Sequence, residues 1–252
     1  VSDFSTKSYF ATARPHLLAH RGLSQHRADI DENSIASFEE ALQHGATHIE
    51  SDVHATKDGV AVLFHDDDLQ RVAGLPLKIS EITFAELSEL SLTHGSKVPS
   101  LSQVLERFPL LRLNLDVKAT AGCQATAEVI NELQAHDRVL VSSFSKARKL
   151  ATLKLLDKPV VTSASSTEVL GLWVTHLLFG LGFRKIAQQF DAIQIPRSFG
   201  PIRLDTAGFI ARARSCNLEV HFWTVNDPEQ GKALLALGAT GIVSDRVDLF
   251  HF

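Results

Sequence analysis

Four places along the chain put charged side chains where a buried strand should end. "LLAHRGL", Leu17 to Leu23, is an apolar run that stops on His20 and Arg21 and then turns on Gly22. "THIESDVHA" carries Glu50 and Asp52 two residues apart, so both project from one face of a strand. "VAVLFHD" ends on His65 and Asp66, and "LRLNLDVKA" ends on Asp116 and Lys118, again on one face. Glu50 and Asp52 lie between Ile49 and Val53, and Asp116 lies between Leu115 and Val117. Carboxylates in such surroundings are costly to bury unless a cation meets them. Three of them gathered at one site would repel one another without an ion between them. An all-oxygen donor set favours a hard divalent cation, Mg²⁺ or Ca²⁺, over zinc. Imidazoles have a reference pKa of about 6.5, so side chains of the type of His20 and His65 can pass protons near neutral pH. Arg21, Lys118 and the cation would neutralise a phosphate. The set suits chemistry on a phosphodiester.

Those residues need a scaffold that brings separate strand ends to one mouth. Candidate strands are Leu17–His20, His48–Val53, Val60–His65, Arg112–Lys118, Val139–Phe144, Pro159–Thr162, Ala192–Pro196, Glu219–Val225 and Gly241–Ser244. Helix-period segments sit between most of them: "NSIASFEEALQHG", "SLSQVLERF", "TAEVINELQAH", "DTAGFIARARSCN" and "DPEQGKALLALG". Alternation of strand and helix along the whole length argues for a parallel sheet. Eight of these strands would close a TIM (β/α)8 barrel, with sites at the C-terminal strand ends. The ninth, Val60–His65, follows its predecessor through "TKDG". That turn is too short for a parallel crossover, so the two should form a hairpin. The stretch at about 66–99 lacks strong strand signals and reads as a small insertion after the second barrel strand. The expectation is a single domain over 1–252 with that insertion. A doubly wound open sheet is the alternative, disfavoured because no G-x-G-x-x-G follows the first strand.

Composition narrows the function. The chain has 252 residues, 44% hydrophobic, enough for a sizeable core, and a net charge of −4. That balance lacks the basic stripe of a nucleic-acid binder, so no nucleic-acid partner is expected. Two cysteines, Cys123 and Cys216, are too few for a disulfide scaffold and favour a reducing compartment. The first fifteen residues hold no continuous apolar core of a leader, so a cytoplasmic location is expected. The greasiest stretch, Val169 to Phe183, is too short and too interrupted for a stable membrane span. It reads first as a buried helix and loop. Its functional reading is an apolar lip that would take a long alcohol or acyl chain.

In order, "AHRG", "ENS", "ESDV", "TKDG", "HD", "LNLDVK", "SSF" and "WTVND" resemble the glycerophosphodiester phosphodiesterases, from about Leu17 to Asp245. The resemblance implies a TIM barrel with a small insertion and a metal-dependent hydrolase. Its products would be sn-glycerol 3-phosphate and an alcohol. It makes His20 and His65 the catalytic pair, with His20 as base and His65 as acid by likeness to related phosphodiesterases, or the reverse. The nucleophile is either the glycerol 2-hydroxyl, giving a cyclic phosphate that water opens, or water itself. Glu50, Asp52 and Asp116 become the ligands of one divalent cation. Arg21 and Lys118 become phosphate-binding residues, and Phe144 and Trp223 line a glycerol pocket. Glu32 and Asn33 match the Glu-Asn pair near the metal and the first turn. Two departures stand out: the family usually has Glu at Asp116, and "SDRVD" replaces its closing Thr-Asp-x-Pro.

The implied partner is a small glycerophosphodiester, or a lysophospholipid if a lysophospholipase D-type reaction is the activity. Related barrel phosphodiesterases acting on phosphoinositides or sphingomyelin share the histidines and metal, but "ENS" and "WTVND" favour glycerol recognition. A binding protein that had lost turnover would not need the complete set of histidines, carboxylates and cations. Of the other histidines, His54 is the one competitor, expected to face the rim. His16, His26, His44, His94, His136 and His251 read as surface, and both cysteines read as helix packing.

Overall fold

Strand and helix alternate as the pattern requires, and the apolar-polar alternation on each strand decides which side chains enter the barrel. The computed structural model describes residues 8–251. Residues 1–7, half of the stretch read for a leader, lie outside them, as does residue 252.

The strands in chain order are β1 (His16–His20), β2 (His48–Ala55), β3 (Ala61–Leu63), β4 (Leu113–Val117), β5 (Val139–Ser142), β6 (Val161–Thr162), β7 (Ala192–Ile195), β8 (Ser198–Phe199), β9 (Ile202–Arg203), β10 (Glu219–Phe222) and β11 (Gly241–Ser244). Eight of them run parallel in the order β6-β5-β4-β2-β1-β11-β10-β7. A parallel bridge between Ser163 and Ala192 joins the two ends, and Ala164 N–H donates to Ala192 O at 2.9 Å. The sheet therefore closes as an eight-stranded barrel. The extra strand β3 pairs antiparallel with β2, His54 opposite Val62, as the short "TKDG" turn demands. A second small hairpin, β8–β9, was not anticipated from the sequence.

Helices Ile35–Gln43, Leu101–Arg107, Thr120–Glu132, Lys146–Leu155, Ala207–Ser215 and Pro228–Ala236 follow the strands. Their starts are written in the sequence. Ser34 and Ser37 form a reciprocal cap, and Asp227 caps a helix whose first turn holds Pro228. The helix expected from Thr126 in fact begins at Thr120 and ends at Glu132. Along β4, Leu113, Leu115 and Val117 pack into the main core, while Asn114 and Asp116 turn inward. Ile49 and Val53 do the same on β2, sending Glu50 and Asp52 inward.

After β3 the chain makes its excursion through short helices Gln70–Ala73 and Phe84–Glu89. Val62, Phe64, Leu69, Val72, Ile79, Leu87, Leu92 and Val98 give this part its own small core. At the opposite end of the barrel, His16, His48 and His221 are fully buried. His16 Nδ1 and His221 Nε2 lie 3.3 Å apart. They meet across Gly241, where a Cβ would sit 2.8 Å from the His221 ring. His16 is therefore part of the barrel floor, not the surface. His136, also expected outside, is buried and paired with Asp157 at 2.8 Å. His54 is buried as well: its ring reaches His65 O at 3.2 Å instead of facing the rim.

Val169 to Phe183 departs from the reading of a buried helix and loop. It forms helix Ser166–Leu177 and a turn into helix Phe183–Ala187, and much of its apolar surface faces solvent. No helix among the described residues is long and apolar enough to cross a membrane.

Candidate active site

The strand that opened the question ends in a forced turn. Arg21 N–H donates to Glu50 O at 2.8 Å, which ties the end of β1 to β2. Arg21 and Gly22 both adopt the left-handed region, at φ 58° and 82°. Gly22 packs against Ser37 so closely that a Cβ would lie 2.3 Å from its Oγ and 2.8 Å from its carbonyl carbon. The Arg21 carbonyl accepts from Asn33 N–H at 2.8 Å and from Ser37 Oγ at 3.2 Å. This turn presents His20 and Arg21 to the barrel mouth.

A cavity of about 580 Å³ opens there. His20, Arg21, Glu50, Asp52, His65, Asp116, Lys118, Phe144 and Trp223 all line it. These nine share one pocket; Glu32 and Asn33 do not line it. They arrive from the end of β1, from within β2, from the end of β4 and the residue after it, from the residues following β3 and β5, and from just beyond β10, at the mouth where barrel sites lie.

Each imidazole is fixed by a carboxylate at its Nδ1. His20 Nδ1 lies 2.6 Å from Asp245 Oδ1, and His65 Nδ1 lies 2.6 Å from Asp66 Oδ1. A carboxylate on Nδ1 keeps the proton there and leaves Nε2 for chemistry. For His20, Nε2 points toward Glu50 at 3.9 Å. Burial works to lower the His20 pKa, but the Asp245 hydrogen bond and the Glu50 charge outweigh it and raise it. Asp245 is itself anchored: Asn226 Nδ2 donates to its Oδ2 at 2.8 Å, and its own N–H donates to Asn226 Oδ1 at 2.9 Å.

A chain of charges connects Asp66, the His65 partner, to the phosphate-binding candidates. Asp66 accepts from Arg71 Nε at 2.6 Å, and Arg71 donates twice to Glu32, at 2.5 and 3.1 Å. Arg21 donates to the same Glu32 at 3.1 Å and lies 3.5 Å from Asp52. Lys118 Nζ bridges Asp52 and Asp116, 2.8 Å from each. Burial alone would depress Lys118, but these two carboxylates hold it above its ordinary range.

The carboxylates are under electrostatic pressure. Burial first, and then Asp52, pushes Glu50 up to about 8. Burial raises Asp116 despite Lys118. One oxygen of each, Glu50 Oε2, Asp52 Oδ2 and Asp116 Oδ1, is buried with no hydrogen-bond partner. Three such oxygens in one pocket match the donor chemistry of a hard divalent cation. Among the described residues, groups whose ligand atoms all fall within 4.8 Å of one another lie elsewhere, at His16/Glu219/His221 and His26/Glu40/His44. The pocket carboxylates stand wider apart than that, with Lys118 between two of them.

Asp245, Asn226 and Arg71 were not picked out from the sequence. Asp245 had a signal, since it follows Ser244 at a strand tip as His20 and His65 do at theirs. Arg71 had none: its partner Glu32 lies 39 positions away, and only the folded insertion brings them together.

The model of the glycerophosphoryl diester phosphodiesterase family matches residues 20–249. A probable glycerophosphodiester phosphodiesterase 2 of Mycobacterium tuberculosis is 35% identical over 93% of this chain and 88% of its own length. The human lysophospholipase D GDPD1 is 25% identical over 90% of this chain and 82% of its own. Among solved structures, a phosphodiesterase of Oleispira antarctica in complex with sn-glycerol-3-phosphate superposes with a TM-score of 0.74 at 23% identity, covering 93% of this chain and 94% of that one. A glycerophosphodiester phosphodiesterase of Thermotoga maritima gives 0.71 at 26% identity, over 93% and 96%.

Proposed function

The chain belongs to the glycerophosphoryl diester phosphodiesterase family, and from that membership we propose that it hydrolyses small glycerophosphodiesters to sn-glycerol 3-phosphate and an alcohol, with one divalent cation. The observation that carries the reading is the pocket itself. Two imidazoles, each fixed through Nδ1 at 2.6 Å, share it with Arg21, Lys118 and three carboxylates that each keep a buried oxygen without a hydrogen bond.

In this reading Glu50, Asp52 and Asp116 would hold Mg²⁺ or Ca²⁺. When bound, the cation supplies positive charge to the phosphate oxygens. Arg21 and Lys118 bind the diester and meet the negative charge that builds on those oxygens. His20 takes the proton of the attacking oxygen through Nε2, and Asp245 stabilises the imidazolium that results. His65, oriented by Asp66, gives a proton to the leaving alkoxide. Each transfer contributes about 10²–10⁴-fold. Phe144 and Trp223, ring centroids 5.8 Å apart, flank the glycerol end of the diester.

A second reading, a lysophospholipase D-type reaction, draws on one feature. Val169, Leu170, Trp173, Phe199, Ile202 and Leu204 give the same cavity an apolar wall that a glycerol phosphate does not need.

The test is release of glycerol 3-phosphate from glycerophosphocholine, and separately from lysophosphatidylcholine. EDTA should abolish release and Mg²⁺ or Ca²⁺ should restore it, the better ion being the native type. Turnover that survives exhaustive chelation would overturn the metal-dependent reading. Use of the lysophospholipid no better than the water-soluble diester would remove the second.

A further inference from the structure

The apolar wall of the pocket does not stop at its rim. Leu170 lines the cavity and is half exposed. From it, Val174, Leu177, Leu178 and Leu181 recur at helical spacing on helix Ser166–Leu177 and the turn that follows, all solvent-exposed. Phe179 at the tip is 97% exposed and Leu181 80%. Phe179 is also held at φ 55°, a conformation unfavourable for a bulky residue. Large apolar side chains ordinarily gain their stabilisation by burial, and nothing among the described residues covers these. A contiguous patch of this kind on a single chain marks an interaction surface.

The charges around it select the partner. From 169 to 190 the chain has no Asp or Glu. Arg184 and Lys185, just past the tip, are exposed, and no ion pair engages either among the described residues. Arg212 reaches the same turn, its guanidinium packed so tightly on Gly180 that a Cβ there would lie 2.1 Å away. An exposed helix end and turn with Leu and Phe at the tip, and cations on the helix that follows, suits the headgroup region of a bilayer. We propose that this face docks the protein on the surface of an anionic phospholipid membrane, Phe179 and Leu181 entering the acyl boundary and Arg184 and Lys185 meeting the headgroups. The stripe begins at Leu170, so a docked molecule holds its pocket mouth close to the lipid surface. The proposal goes beyond the hydrolase reading and does not depend on it, because binding is measured without turnover.

The experiment is co-sedimentation of the full chain with phosphatidylcholine vesicles, with and without phosphatidylglycerol, at low and high salt. The wild type should bind the anionic vesicles, and less tightly as salt rises. Phe179→Asp/Leu181→Asp should lower the partition coefficient at least tenfold. Arg184→Glu/Lys185→Glu should remove the preference for anionic lipid. Both variants should keep the wild-type far-UV circular dichroism spectrum and urea midpoint, which reports that they fold. Three results would overturn the proposal: a wild type that stays in the supernatant with both vesicle types; an aspartate variant that binds as well as wild type; or a dimer in sedimentation velocity that the aspartate variant dissociates, which would make a second copy the occupant.

Discussion

Replacing Gly22 by Ala puts the turn that presents His20 and Arg21 under direct strain. Two costs can be worked out. At φ 82° an L side chain is in the left-handed region, worth about 1–2 kcal/mol. The new Cβ would also sit 2.3, 2.7 and 2.8 Å from three atoms of Ser37. Relieving that overlap means moving the start of helix Ile35–Gln43 or the turn itself, at about 1–3 kcal/mol for an overpacked site. Together the loss is about 2–5 kcal/mol, a large share of the ~5–15 kcal/mol by which domains are stable. Trimming Ser37 to Ala should not rescue it, because the Cβ and carbonyl carbon of residue 37 remain. Urea unfolding should show a lower midpoint at unchanged slope. Activity should fall further than stability suggests, since a shift of about 1 Å in a phosphate-binding group costs about 10²-fold. A Gly22→Ala protein that lost under about 1 kcal/mol and kept native kcat/KM would show that the turn does not position the site.

Two other outcomes follow from particular contacts. Asp245→Asn should lower kcat by about 10²–10⁴-fold with little change in KM, because the amide cannot hold the His20 proton on Nδ1 or stabilise the imidazolium; steady-state kinetics on glycerophosphocholine checks this. Glu168 should make stability depend on acid pH. Burial alone would raise its pKa, but Lys149 Nζ at 2.5 Å and the N–H and hydroxyl of Ser165 hold it at about 2. A depressed folded-state pKa contributes stability above the ordinary carboxylate value of 4.5 that is lost as pH falls toward about 2. The stability gap between wild type and Glu168→Gln, read from urea midpoints, should therefore shrink across that window. A gap that stays constant would contradict the pairing.

The barrel and the meeting of these side chains at its mouth were legible because both rest on period-two strand patterns. A carboxylate between two apolar residues on a buried strand has one place to go, and Glu50, Asp52 and Asp116 went there. The β2–β3 hairpin was legible from the length of one turn. What could not be read depended on contacts across long separations. The floor histidines His16 and His221 stand on strands far apart in sequence and meet because Gly241 between them lacks a Cβ. Arg71 reaches Glu32 through a folded insertion whose strand and helix signals are weak. Exposure of Val169 to Phe183 was misread because its hydropathy resembles that of a core helix. Only the position of the helix beside the mouth shows which face has no covering layer.

The most direct measurement is single-turnover hydrolysis of glycerophosphocholine, with saturating divalent cation, by His20→Ala and by His65→Ala, each paired with a far-UV circular dichroism spectrum. Both variants should keep the native spectrum and lose about 10²–10⁴-fold or more in rate. A folded variant of either histidine that turned over at close to the native rate would contradict proton transfer by two imidazoles across one phosphate.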